Sequence, residues 1–372
     1  MIFAEGEKRF LTPCDRPTFL PFIDEAQKLS EFYDCKASLF DRSDRSLEEI
    51  FWFLNRVALV CHRASETRLA RRLCCQELKL SSSLYSATTR DWPLKLSLQP
   101  WINLARLDFS AGHLDTAVFR LRKLQWWSEG ICSFKLGRIE VPSEWIDRME
   151  QIEPGLRAFL ENATTVEMLW FLAKSNRWDR VVSLVELLPE KLSKLSVAQE
   201  AYVLGLTETA GIQRGLNRAI KKVNEETGWG RLVFAVRTAQ LLQKKADPST
   251  GIYVLGLIEA VFETLHGSLS AEQVKILLQV ARLALETKLS SELIERFNVE
   301  LLNLCLNTKD VLVVAEAREF FLRCTDVDKS AVNKLCEGWR ANTEAVGSNI
   351  VLEQLLHRAR ECVNLVKLPL DS

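Results

Sequence analysis

The strongest fold signal in the chain lies in the stretch from Gln99 to Leu124, which reads QPWINLARLDFSAGHLDTAVFRLRKL. Apolar residues recur at three- and four-residue intervals on both sides of Gly112, the spacing that places side chains on one face of a helix. Gly112 allows the left-handed backbone that closes a helix end. Small Ala105 and Ala117 let two helices approach closely, while Trp101 and Leu121 fill the groove around that contact. The stretch therefore predicts an antiparallel helical hairpin.

The same helical period extends from Phe22 to the C-terminus. One stripe contains Val274, Leu277, Ala281 and Leu285, and strand-like alternation is nearly absent. Short turns between helices of roughly 12–20 residues force consecutive helices to lie antiparallel. We therefore expect an all-α fold built from stacked helical hairpins.

Helix ends are indicated by capping residues. Four Ser or Thr residues precede a Glu or Gln by three positions, the spacing of a capping box. The pairs are Ser46 with Glu49, Thr164 with Glu167, Ser196 with Gln199, and Ser270 with Gln273. Glycines that close helices are expected at Gly112, Gly211 and Gly267.

Two regions break the helical pattern, and they divide the chain. Residues 1–21, with three prolines, are predicted to form an extended N-terminal segment, followed by helical hairpins over 22–129. Residues 130–142 are predicted to be an irregular insertion, with apolar side chains alternating in a short extended excursion. Residues 143–372 are predicted to form a C-terminal array of helical hairpins. Before the insertion, Trp126 and Trp127 cannot both face one groove, so we expect one to pack into the next hairpin and the other to cover the insertion.

The stretch from Gln99 to Leu124 resembles one unit of a tetratricopeptide repeat (TPR) protein. A second, weaker unit runs from Ala163 to Pro189, with Asn176 at the turn and Trp178 opening the next helix. The resemblance implies a TPR-like α-solenoid whose first helices line a concave groove for an extended or helical segment of a partner protein. The alternative is a less regular helical protein with one TPR-like hairpin.

The resemblance also indicates which side chains face the groove: Gln99, Ile102, Arg106, Phe109, Trp170 and Lys174. Family members that bind chaperone tails carry Lys and Asn where Ile102 and Arg106 stand here, so that activity is not expected. An apolar groove with an occasional cation suits a hydrophobic partner segment with some acidic character. The alternative is that Ile102, Phe109 and Trp170 pack against neighbouring helices.

Composition restricts the remaining classes of function. The 49 basic and 49 acidic residues cancel, and no block of like charges offers a phosphate-binding surface, so nucleic acid is not expected as a partner. The N-terminus lacks the apolar run of a signal peptide, and no later stretch is long and apolar enough for a membrane span. Ten cysteines without a secretion signal indicate a reducing compartment, so we expect a cytoplasmic location and no membrane partner.

Signatures of chemistry are missing from the sequence. No glycine-rich phosphate loop, nucleophile elbow or C-x-x-C pair occurs, so we predict no cofactor, no metal site and no catalytic residue. Cys61-His62 with Cys74-Cys75 is the nearest approach to a metal cluster.

The expected function is therefore a non-catalytic TPR-like adaptor or regulator, with self-association left open. The alternative is a helical enzyme or small-molecule-binding protein, for which metal chemistry would involve Glu263 with His266 or Glu353 with His357.

Overall fold

A computed structural model describes nine stretches of the chain. They are residues 23–36, 44–87, 94–136, 139–264, 269–288, 291–307, 311–324, 329–344 and 349–367. The predicted extended segment 1–21 lies outside these residues, as do Gly267 and His266.

Helices dominate the described residues, which confirms the all-α prediction. The first seven described helices are α1 (Ile23–Lys36), α2 (Asp44–Arg63), α3 (Thr67–Ala87), α4 (Leu94–Ser110), α5 (Leu114–Ser128), α6 (Trp145–Ile152) and α7 (Leu156–Lys174). The next are α8 (Trp178–Leu187), α9 (Glu190–Ser193), α10 (Ser196–Ala210), α11 (Ile212–Glu225), α12 (Gly228–Lys244) and α13 (Thr250–Thr264). The last are α14 (Ala271–Glu286), α15 (Glu292–Asn307), α16 (Val311–Phe321), α17 (Lys329–Glu344) and α18 (Asn349–Lys367).

The helical hairpin expected between Gln99 and Leu124 is formed by α4 and α5. Gly112 adopts a φ of +83° at the turn, and the two alanines, Ala105 and Ala117, are buried. The indole of Trp101 donates a hydrogen bond to the backbone carbonyl of Arg120, 3.0 Å away on the second helix. Asn176 closes the turn between α7 and α8 with a φ of +54°, a conformation that asparagine tolerates better than most residues.

The predicted irregular insertion contains a short β-hairpin. Strands β1 (Phe134–Leu136) and β2 (Ile139–Val141) pair antiparallel, with Phe134 opposite Val141. Trp127 is buried against this hairpin, since its ring lies 4.5 Å from that of Phe134 and its indole donates to the carbonyl of Pro142. Trp126 remains partly exposed.

The chain forms two compact units, divided inside α7. The first unit holds the described residues up to Phe171 together with α18. Here α18 packs against α1, α2 and α3. The phenol of Tyr33 donates to Glu361, and Arg358 pairs with Asp34 at 2.8 Å. Helices from both ends of the chain therefore share one core.

The second unit runs from Leu172 to Glu344. From α12 onwards, its helices pack against both the following helix and the one after that, and one apolar core continues from α12 to α17. A buried ion pair joins Arg237 on α12 to Glu200 on α10. Such packing is compatible with stacked hairpins, whereas the TPR-like solenoid stays a prediction. The two units do not coincide with the predicted segments 22–129 and 143–372, which also stay predictions.

Of the four predicted capping boxes, one forms as expected. Ser270 accepts from the backbone N–H of Gln273, whose side chain accepts from the backbone of Ser270. The box at Ser196 is wrong, because Leu195 precedes α10 without a side-chain cap and Gln199 donates to Ser193 instead. Ser46 and Thr164 lie inside α2 and α7, so neither begins a helix.

Candidate functional site

The predicted groove residues on α4 are largely engaged inside the first unit. Ile102 is buried in the core, Gln99 and Arg106 are half-buried, and Phe109 is also half-buried. The ring of Phe109 stacks on Phe171 of α7 at 4.5 Å and meets Trp170 edge-on at 5.5 Å. These aromatic contacts join α4 to α7.

The remaining predicted groove residue, Lys174, is half-buried near the end of α7 and belongs to the second unit.

Arg106 belongs to a polar chain that crosses three helices of the first unit. Asn103 donates to Asn55 of α2 at 3.1 Å, Arg106 donates to Asn103 at 3.1 Å, and Arg106 also binds the carboxylate of Glu167 on α7. Burial alone would lower the pKa of Arg106, but the neighbouring carboxylate of Glu167 raises it overall. The cation expected to bind a partner's acid is thus held by the chain's own carboxylate.

A second carboxylate, Asp108 on α4, binds two further cations. Arg71 of α3 lies 2.7 Å from one oxygen, and Arg120 of α5 donates twice to the other at 3.0 and 2.9 Å. Asp108 is buried, so these charge-assisted bonds hold α3, α4 and α5 in register. Arg120 also lies over the ring of Trp101.

A buried carboxyl that the sequence reasoning missed lies on α3. Glu77 has an exposed fraction of 0%, and neither of its oxygens has a hydrogen-bond partner in the described part of the structure. Ser81, one turn further along, is likewise buried with an unsatisfied hydroxyl. Burial raises the pKa of Glu77 well above its usual range. The sequence indicates its burial by its helical spacing from Cys74 and Ser81, which lie on the buried stripe of α3.

The outer face of α5 was also missed. Phe119 and Trp126 stand seven residues apart and are 56% and 37% exposed, and Ile131, just beyond the helix, is 66% exposed. Lys123 lies between Phe119 and Trp126 in the sequence, and its ammonium is 5.8 Å from the centroid of the Phe119 ring. These four residues, Phe119, Lys123, Trp126 and Ile131, are called the α5 face below. The sequence indicates this face by apolar residues that lie outside the buried helical stripe of Ala117, Leu121 and Leu124.

The cysteine pairs form no metal centre in the described residues, where no group of three or more potential ligands occurs. Cys61 and Cys74 are buried, and burial raises the pKa of the Cys61 thiol to about 12. Cys362 is buried on α18, as a core residue would be. Glu353 and His357 are both exposed on that helix. Across the described helices, none has the length and apolar character of a membrane span.

Comparisons with known proteins found no matching family model, no matching curated protein and no matching solved structure.

Proposed function

We propose that the chain is a non-catalytic, TPR-like adaptor or regulator of the cytoplasm that binds a peptide or helical segment of a partner protein. One observation supports this proposal above others: the α5 face presents two aromatic rings and Ile131 to solvent beside a tightly packed core. Large aromatic side chains are costly to leave in water, and they are enriched where proteins bind one another.

The site that supports the proposal differs from the predicted groove. Ile102 is buried and Arg106 is bound to Glu167, so neither is available without rearrangement of the helices. On α5, by contrast, Phe119 and Trp126 need no rearrangement to meet a partner. Two rings separated by two helical turns, about 10 Å, suit anchor residues that are likewise two turns apart on a partner helix.

Co-purification from the native cell, followed by mass spectrometry, tests the proposal. A Phe119→Ala/Trp126→Ala double variant is expected to lose a protein that the wild type recovers repeatedly. Ile252→Ala is the matched control, because Ile252 is an exposed apolar residue on α13 of the other unit. Recovery of the wild-type chain alone, or equal recovery by all three proteins, would count against the adaptor function.

A second function, binding of a small molecule, is favoured by Glu77 and Ser81. Buried polar atoms are normally satisfied by protein groups, water or a ligand, and a carboxyl beside a hydroxyl could accept and donate hydrogen bonds to a small polar compound. Native mass spectrometry of the purified protein would detect a bound compound. A mass that is present in the wild type and absent from Glu77→Gln would favour this function.

A further inference from the structure

From the charges of the α5 face we infer the chemistry of its partner: an amphipathic helix that places a carboxylate between two apolar anchors. This inference rests on the proposed adaptor function. It concerns the same α5 face and specifies what kind of segment binds there.

Two cations of the α4–α5 hairpin already have carboxylate partners. Arg120 is bound to Asp108 and Arg106 to Glu167, so both are neutralised within the unit. Lys123 differs, because no carboxylate among the described residues pairs with its ammonium, which lies over the ring of Phe119 instead. A cation that lies over an aromatic ring keeps its positive charge, so Lys123 can still pair with an anion of a partner.

A second cation, Arg122, stands next to Lys123 in the sequence. Arg122 donates to Gln125 at 3.1 Å, and burial lowers the pKa of Arg122 although the charge of Glu129 opposes this effect. It remains a cation beside the α5 face, since an arginine stays protonated in proteins. The charges of Arg122 and Glu129 oppose each other, which leaves Lys123 as the cation of the α5 face.

An acidic residue, Glu129, follows the C-terminal end of α5. Glu129 follows Trp126 by one turn. Its pKa is raised by burial and by the nearby charge of Glu161, which together outweigh the opposing charge of Arg122. A partner carboxylate would be repelled there and attracted at Lys123. The face thus favours an acid between the anchors that meet Phe119 and Trp126, and disfavours one beyond the anchor at Trp126.

Two synthetic peptides test this inference on the full chain. One is an amphipathic helix of about 20 residues with leucines two turns apart and glutamates between them; the other replaces every glutamate with lysine. We expect the acidic peptide to bind about tenfold more tightly than the basic one, with an affinity that falls as salt rises. Isothermal titration calorimetry gives both affinities.

Two variants separate the contributions of charge and apolar contact. Lys123→Glu is expected to reverse the preference in favour of the basic peptide, and Phe119→Ala to weaken both. Lys334→Glu, at an exposed lysine of α17, is the matched control and should change neither. Equal affinity for the two peptides, or an unchanged preference in Lys123→Glu, would overturn the inference.

A third probe distinguishes a partner helix from a lipid surface, which also attracts aromatic and basic side chains. Vesicles of phosphatidylserine that bind the wild type and not Lys123→Glu, without peptide binding, would overturn the inference in favour of anionic lipid. If neither peptide binds but Phe119→Ala/Trp126→Ala still loses its native partner on co-purification, the acidic-helix inference fails while the adaptor function stands.

Discussion

Arg106 on α4 and Glu167 on α7 form an ion pair inside the first unit, with side chains that are 23% and 7% exposed. Arg106 also donates a hydrogen bond to Asn103, which in turn donates one to Asn55. The pair therefore links helices that are separated by α5, the β-hairpin and α6 in the sequence. Arg106, which was predicted to face a partner, therefore also holds α4 against α7.

Arg106→Met is expected to destabilise the protein by about 3 kcal/mol, because Glu167 would lose its cation while remaining buried. Urea unfolding followed by circular dichroism measures the loss. Adding Glu167→Gln should recover most of it. Arg323→Met, which removes an exposed pair with Glu319, is the control and should cost less than about 0.5 kcal/mol. A stable Arg106→Met protein that loses its partner would instead place Arg106 in a binding groove.

Glu77→Gln is expected to stabilise the protein at alkaline pH. The pKa of Glu77 is raised in the folded state by burial, so the folded chain holds this proton more tightly than the unfolded chain, whose pKa is about 4.3. The stabilising contribution is complete below that value and is lost as pH rises through the folded pKa.

Free energies of unfolding measured at about pH 4.5 and pH 8 test this prediction, because a glutamine at position 77 does not titrate. The variant and the wild type should differ more at the higher pH, where the variant should be the more stable. Glu259→Gln, at an exposed position of α13, should leave the pH dependence unchanged. Equal destabilisation by Glu77→Gln at both pH values would show that the carboxyl has a hydrogen-bonding role.

Gly215→Ala is expected to destabilise the protein by about 2 kcal/mol through overpacking. A Cβ at Gly215 on α11 would lie 1.9 Å from the hydroxyl of Thr207 on α10 and 3.1 Å from the carbonyl of Val203. Thermal unfolding measures the effect, and the double variant with Thr207→Ala should regain part of the stability.

Gly256→Ala is the opposite case, because a Cβ at this position in α13 would meet nothing within 4 Å. Here the better helix propensity of alanine should stabilise the protein by about 0.5–1 kcal/mol. A stabilising effect at both glycines would contradict the close packing of α10 against α11.

The adjacent tryptophans are expected to respond differently to alanine. Trp127→Ala should cost about 3–5 kcal/mol, because it removes a buried ring and its bond to the carbonyl of Pro142. Trp126→Ala should change stability by less than about 1 kcal/mol, since Trp126 is partly exposed. Guanidinium unfolding of the two variants gives the comparison, and a similar loss in both would contradict the different burial of the two rings.

Much of the local structure could be predicted from the sequence alone. The period of three to four residues identifies helices because it depends on the geometry of a single helix. The turn at Gly112 and the capping box at Ser270 were likewise readable from short-range patterns, since each involves residues only a few positions apart. Ser46 and Thr164 show the limit of such patterns, because a helix that already extends through them leaves no free N–H to cap.

The tertiary structure decided which side chains are exposed to a partner and which are engaged inside the fold. The pairing of Arg106 with Glu167, the burial of Glu77 and the choice of Trp127 over Trp126 all depend on which helices meet, and residues distant in the sequence set those contacts. The sequence by itself determined that this chain is helical and where its clearest hairpin turns. Only packing decided that the inner face of that hairpin is filled while its outer face, with Phe119 and Lys123, is exposed, because burial depends on neighbours that periodicity does not identify.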